Sequence, residues 1–310
     1  MSKVIVFGSM NMDLSIETDR MPFEGETCDG KNLLINPGGK GANQAVASSR
    51  IGAHTLIIGS IGNDAFGEDI LHSLTDSGVH CDEVISTDNA STGLAIVIRT
   101  SGNNRIIIEH GANYILPSEQ VIEALDRVAC PGDVFLTQFE CCEKTTCDAI
   151  IHAKELGLYV IVNPSPVHTI PKHVFNSIDL LCLNETECMS LFGLRAMDDF
   201  ESIDRSLSQL LANEAQTIIL TVGDAGSIVV TRGQSLYQQA FRVDTVDTTS
   251  AGDTYVGAMA ACVANGKSLN DAAVLASKAA ALATRKIGAQ RSIPTLSEIE
   301  RFFEKGERDD

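Results

Sequence analysis

The sequence predicts an α/β protein: a mostly parallel central sheet with helices on both faces, and a small second β-sheet standing off it. Three observations lead there. Short apolar runs rich in β-branched residues recur at 3–7, 55–59, 133–136, 158–162, 179–183, 217–222 and 227–231. Each has the length of a strand buried on both faces. Segments with helical spacing lie between many of them, at 64–77, 118–129, 144–157, 186–193 and 199–213, and strands alternating with helices build parallel sheets. Two stretches, Asp13 to Asn36 and 91–109, break this rhythm.

Taken in order, Val4-Ile5-Val6-Phe7 is the first strand. It is far too short to span a membrane, and Met1-Ser2-Lys3 before it carries no signal pattern, so a cytoplasmic protein is expected. Asn36-Pro37-Gly38-Gly39-Lys40-Gly41-Ala42-Asn43-Gln44 opens a helix reaching about Ile51. Leu94–Ile98 and Arg105–Glu109 read as two strands joined by a hairpin turn, Thr100-Ser101-Gly102-Asn103-Asn104. The last third turns helical at 252–264, 269–286 and 296–304, with an Ala-rich stretch from Ala272 to Ala283 that favours close helix packing. The charged tail from Glu304 to Asp310 is expected to fray. This organisation makes one main α/β domain of 1–12, 37–90 and 110–310, with 13–36 and 91–109 forming the small sheet. A chain of 310 residues, 44% of them hydrophobic, is ample for one large core.

Charge and cysteine usage exclude several classes. The net charge of −18, from 41 acidic against 23 basic residues, argues against nucleic-acid binding. Nine cysteines form no C-x-x-C pair, which argues against a disulfide scaffold or a zinc finger and for free thiols.

Chemistry concentrates in two places. Asp247-Thr248-Thr249-Ser250-Ala251-Gly252-Asp253-Thr254 sets a carboxylate at the mouth of a small-residue helix. A helix start presents unpaired N–H groups and a positive dipole end, which hold an anion. An Asp there accepts a proton from a hydroxyl while the amides of Ala251, Gly252 and Asp253 stabilise developing charge, an arrangement suited to phosphoryl transfer to an alcohol. The same dipole is expected to keep Asp253 ionised. Read alone, Ser or Asp at a helix start is more often just a cap. The second place is Gly38-Gly39-Lys40-Gly41, where glycines admit a ligand to the backbone and Lys40 adds a mobile charge. The spacing of a P-loop is absent.

With Gly8-Ser9-Met10-Asn11-Met12-Asp13, Ser91-Thr92-Gly93, Glu140, Asn163-Pro164-Ser165-Pro166, Asn184-Glu185-Thr186-Glu187, Thr221-Val222-Gly223-Asp224-Ala225-Gly226 and Gly288-Ala289-Gln290, these motifs run nearly end to end. The chain resembles the ribokinase-like (PfkB) carbohydrate kinase family. The resemblance implies a ribokinase-like fold whose small sheet is a lid over a sugar site. It implies an ATP-dependent sugar kinase acting on the primary 5-hydroxyl of D-ribose, with Asp253 as base. The alternatives are the same chemistry on deoxyribose, a keto-deoxy sugar acid or a nucleoside, and a catalytically silent sugar- or nucleotide-binding homologue. Asn11, Asp13, Gly39, Lys40, Asn43 and Glu140 are implied to line the sugar pocket. Asn184, Thr221, Gly223, Gly226 and Ser277 are implied to serve the nucleotide, and Glu187 magnesium. Asp247, Thr249, Lys286, Gly288 and Ser292 match the family's monovalent-cation region, a potassium-type site. Asn184 also reads as a plain helix cap, and both roles are compatible. An exposed edge of the small sheet is a place for a second copy to pair, so a homodimer is an expectation.

The chain departs from the family pattern at three positions. Cys141-Cys142 follows Glu140 where relatives tend toward proline, Arg291 replaces a frequent proline, and Ser277 stands where some members pack a histidine on adenine. These changes leave the catalytic set intact and put the adenine contacts in question.

Overall fold

The computed structural model describes residues 2–100, 103–195 and 200–306. Ser101 and Gly102 of the expected hairpin turn, position 199 of an expected helix and the last four residues of the tail lie outside the described residues.

In chain order the first strands are β1 (Val4–Phe7), β2 (Asn11–Glu17), β3 (Lys31–Gly38), β4 (Thr55–Gly62), β5 (His80–Thr87), β6 (Gly93–Thr100) and β7 (Asn103–Glu109). They continue with β8 (Val134–Thr137), β9 (Tyr159–Val162), β10 (Leu180–Asn184), β11 (Thr217–Val222), β12 (Gly226–Thr231) and β13 (Gln234–Gln239). The first helices are α1 (Lys40–Arg50), α2 (Ala65–Asp76), α3 (Ser118–Val128), α4 (Glu143–Glu155), α5 (Lys172–Phe175) and α6 (Glu185–Phe192). The rest are α7 (Phe200–Leu210), α8 (Ala251–Ala264), α9 (Leu269–Ala283), α10 (Ala289–Ser292) and α11 (Leu296–Gly306).

Nine strands form the central sheet in the order β13-β12-β11-β10-β9-β8-β1-β4-β5. From β11 to β5 every pairing is parallel, while β12 and β13 are added antiparallel. The alternation of side chains along β1 feeds two cores. Val4 and Val6 join a cluster with α1, α2, α8 and α9, and Ile5 and Phe7 join one with α3, α4 and α7. Burial on both faces explains why such strands read as unbroken apolar runs. Strands β5 and β13 gave no such run. They lie at the two edges, half in water, and their sequences HCDEVIST and QSLYQQ are correspondingly polar. Among the described residues no helix is long and apolar enough to cross a membrane, and all nine cysteines are free thiols.

The second sheet has the order β3-β2-β6-β7, with β2 and β6 parallel and the outer pairs antiparallel. Its first central residue, Asn11, follows β1 after a link of three residues and pairs with both Gly38 and Gly93. The chain therefore leaves the main body and returns to it next to the start of α1.

Helix α8 is buried almost all round and packs between α1 and α9. Gly257 makes this possible. A β-carbon there would run into the carbonyl oxygen of Gln44 and come within 2.6 Å of Ala47 Cβ. Replacing Gly257 by Val is expected to destabilise the protein by about 1–3 kcal/mol through overpacking, read as a lower midpoint in urea denaturation.

Candidate active site

The start of α1 is built on a carboxylate rather than on a cap of its own. No side chain of its N-cap residue bonds to it. Instead Lys40 N donates to Glu140 Oε2 at 3.1 Å, and Ala42 N donates to Ser9 O at 2.9 Å. Ser9 Oγ and Asn11 Nδ2 donate to the same Glu140 oxygen, at 2.5 and 3.3 Å. A negative charge at a helix start is favourable, and this one ties the loop after β8 to the loop after β1. Gly8 and Gly41 allow the approach, since a β-carbon on Gly41 would lie 2.6 Å from Gly8 Cα and from Ser9 N. Asn113 completes the arrangement. Its Oδ1 accepts from Met10 N at 2.8 Å, and its Nδ2 donates to Asn11 Oδ1 at 2.8 Å, so the Asn11 amide can face Glu140 only with its nitrogen.

The start of α8 is different. Ser250 adopts the left-handed region with φ 62°, and no side chain caps the helix. The capping alternative is thereby set aside here, whereas at α6 it holds: Asn184 and Glu187 form a full capping box. Ala251 N donates to Thr248 O at 3.2 Å, closing the turn, while the N–H groups of Gly252 and Asp253 find no acceptor among the described residues. Gly252 is exposed, with open space where a side chain would stand. Just behind it Asp253 is buried at 9% exposure. Its Oδ2 accepts from Asn43 Nδ2 at 3.0 Å and its Oδ1 from Gln44 Nε2 at 3.0 Å. Asn43 Nδ2 also reaches Ser250 Oγ at 3.1 Å, and Asn43 Oδ1 is buried without a partner among the described residues.

Electrostatics join these two helix starts. Burial, then the charges of Glu140 and Asp253, push the Asp13 carboxyl up to about 7 against the pull of Lys40. Burial works against the charge of Lys40, but Asp253, Glu140, Glu187 and Asp13 outweigh it and hold the amine above its ordinary range. For Asp253 the expected lowering by the helix start is overturned. Burial raises it above the usual carboxylate range, more than Lys40 and the Asn43 and Gln44 amides lower it. Removal from water outweighs a terminal dipole once the carboxyl lies inside the protein. Glu187 is raised by burial too, opposed by the Asn184 N–H, the Ser165 hydroxyl and Lys40.

Of the residues expected in the sugar site, Asn11 and the backbone N–H of Lys40 therefore bond to Glu140, Asn43 bonds to Asp253 instead, and Asp13 is linked to Glu140 and Lys40 by charge. A β-carbon on Gly39 would touch Asn11 N at 2.7 Å. Asn184 and Thr221 face each other on β10 and β11. Gly223 lies in the 3-10 turn between β11 and β12, and Gly226 begins β12. Ser277 is buried on α9, and no hydrogen bond among the described residues links it to the others. Of the residues expected at the cation site, Asp247 bonds to Thr249 and Gly288 but not to Lys286 or Ser292. Asp247 Oδ1 accepts from Thr249 N at 3.0 Å and Thr249 Oγ1 at 2.6 Å, and its Oδ2 from Gly288 N at 3.3 Å. Lys286 turns its amine to Glu298 at 3.2 Å, and buried Ser292 donates to Ala289 O at 2.8 Å. Gln44 also bonds to Asn163 at 3.1 Å and to Gln138 at 2.7 Å, so five residues of the network are not singled out by the sequence: Ser9, Gln44, Asn113, Gln138 and Asn163. Ser9, Gln44 and Asn163 stand inside recognised motifs, while Asn113 and Gln138 carry no local signal.

The Asp13 environment has a pH signature. A carboxyl raised from 3.8 to about 7 favours the protonated native protein. The cost is absent below the lower value, grows as pH rises between the two, and is full above about 7. Asp13→Asn is therefore expected to stabilise the ligand-free protein more at pH 8 than at pH 5, measured by urea denaturation at both.

Known proteins resemble this chain over nearly its whole length. The model of the pfkB family carbohydrate kinases matches residues 1–296. The ribokinase of Staphylococcus aureus is 33% identical over 301 residues, covering 96% of this chain and 98% of its own. That of Schizosaccharomyces pombe is 34% identical over 313 residues, covering 98% of each. The structure of Arabidopsis thaliana ribokinase complexed with ribose and ATP superposes with a TM-score of 0.86 at 32% identity, over 97% of this chain and 98% of that one. A family match over residues 1–296, and relatives more than 30% identical over nearly the whole length, show that the chain belongs to the pfkB family of carbohydrate kinases.

Proposed function

We propose that the chain transfers the γ-phosphoryl group of ATP to the primary 5-hydroxyl of D-ribose, giving ribose 5-phosphate. The observation that carries the reading is the pairing of buried Asp253 with the free N–H groups of Gly252 and Asp253 at the start of α8, facing Lys40 across from α1. The relatives' names, and the ribose and ATP in the Arabidopsis structure, support the choice of substrates.

Asn11, Asp13, Gly39, Lys40, Asn43 and Glu140 hold the sugar. Each sugar hydroxyl both donates and accepts, and this set offers carboxylates, amides and an amine. Asn43 Oδ1, buried and without a partner among the described residues, supplies an acceptor. Asp253 takes the proton of the 5-hydroxyl as its oxygen attacks phosphorus. The O–H bond breaks, the new P–O bond forms, and the bond to the ADP oxygen breaks with its electron pair leaving on ADP. The two free amides and Lys40 stabilise negative charge on the transferring group, while Ala251 holds the turn.

Asn184, Thr221, Gly223, Gly226 and Ser277 serve the nucleotide. Among the described residues no cluster of three or more His, Cys, Asp or Glu side chains is placed to hold a metal. One carboxylate, Glu187, suits a magnesium ion that keeps phosphate and water ligands, and the ion neutralises phosphate charge. Asp247 with the carbonyls of Thr249, Lys286 and Gly288 and the Ser292 hydroxyl is an oxygen-only set that suits potassium beside the helix start. The second sheet acts as a lid on the sugar. Its exposed Leu33, Ile35, Ile106 and Ile107 suit pairing of two lids in a homodimer, and a monomer on gel filtration at working concentration would remove that element. Nine free thiols accord with a cytoplasmic location.

The reading is tested with ATP, magnesium and potassium against ribose, deoxyribose, keto-deoxy sugar acids and nucleosides. Ribose is expected to turn over best, and omission of magnesium to abolish turnover. Asp253→Asn is expected to lower kcat about a hundredfold or more. Turnover of that variant at the parent rate would end the proposed role of Asp253, and a different preferred acceptor would replace ribose.

A further inference from the structure

Asp253 stands at the end of a row of buried amides whose direction is dictated by one backbone carbonyl. Asn163 Nδ2 donates to Cys182 O at 3.0 Å. A carbonyl only accepts, so Asn163 must turn its Oδ1 the other way, toward Gln44 Nε2 at 3.1 Å. Gln44 Nε2 has a second proton, and it goes to Asp253 Oδ1 at 3.0 Å. Gln44 Oε1 in turn accepts from Gln138 Nε2 at 2.7 Å. Gln44 is fully buried and Gln138 nearly so. Gln138 Oε1 is buried without a partner among the described residues. An orphaned buried acceptor works against the fold. Turning Gln138 over would instead set its oxygen against that of Gln44.

We propose that Gln44 is a positioning residue for Asp253: Asn163 and Gln138 lock its amide from two sides, so that an N–H and never a carbonyl faces Asp253 Oδ1. The locked donor favours the ionised carboxylate and fixes its plane, leaving its remaining lone pairs for the sugar hydroxyl. No proton travels along the amides. The proton taken from the sugar stays on Asp253 until it is released to solvent. This inference rests on the reading of Asp253 as the base and deepens it.

The surroundings make the donor matter. Asp253 is faced by Lys40 from α1, Asp13 from β2, Glu140 from the loop after β8 and Glu187 from α6. Three acids and burial oppose its ionisation, and Lys40 with the two amides of α1 supports it. Loss of one amide donor therefore raises the pH at which the base becomes active.

The test compares Gln44→Met and Gln138→Met with the parent in steady-state assays with ribose, ATP and magnesium across pH 5 to 9. For Gln44→Met, kcat is expected to fall about tenfold or more, with KM for both substrates within about twofold. The acid limb of the kcat profile is expected to move up by about one pH unit. Gln138→Met, whose side chain hydrogen-bonds Gln44 and not Asp253 in the parent, is expected to shift the same limb in the same direction by less. If Gln44→Met does not fold, the limb in Gln138→Met decides alone. An acid limb that coincides with the parent's in the folded variants, whatever their melting temperatures, overturns the inference. Asp253→Asn separates the two ideas. A silent Asp253→Asn beside an unshifted Gln44→Met leaves the base in place and removes only the positioning role. A fully active Asp253→Asn removes the base reading itself.

Discussion

Everything at this site depends on two amides of α1 closing on one carboxylate of α8. Asn43 and Gln44 are neighbours in the chain, and each takes one oxygen of Asp253, 210 and 209 positions away. A buried carboxylate without such partners is strongly destabilising, so the contact that satisfies Asp253 is the same one that fixes how the two helices meet. Gly257, one turn further along α8, lets the Gln44 backbone come close enough for it. Packing and chemistry are one constraint here, because a shift of either helix breaks both bonds.

The second theme is charge concentrated out of water. Asp13, Glu140, Glu187 and Asp253 share the field of Lys40, in a chain already at −18. Burial pushes Asp13 and Asp253 upward, and Lys40 responds by holding its proton more tightly. Such a cluster lowers the stability of the fold, because burial and like charges both oppose ionisation of its carboxyls. Positive potential is correspondingly local: the Lys40 amine and the free amides of Gly252 and Asp253, in an acidic chain.

The second sheet is tied into this centre at both of its crossings. Asn11 opens β2, and Asn113 follows the end of β7. Their bond at 2.8 Å links the outgoing and returning chain, and Gly93 leaves the space for it, since a β-carbon there would strike both side chains. Asn11 also reaches Glu140, which holds the start of α1. The position of the sheet and the orientation of the Asn11 amide are thus parts of one arrangement.

Much of the molecule was legible from its residues alone. Strands covered on both faces must be apolar throughout, so β1, β4, β8 to β12 and most helices between them are legible in the sequence, and two glycine-bearing motifs mark the helix starts. The edge strands β5 and β13 escaped because water on one side permits polar residues there. What only the tertiary structure decided was which distant groups meet. Gln138 and Asn113 have no sequence signal, since an amide becomes informative only when its partner's donor or acceptor is known. The environment of Asp253 was also misjudged, because a helix start is visible in sequence whereas the depth of burial that outweighs it is set by everything packed around it.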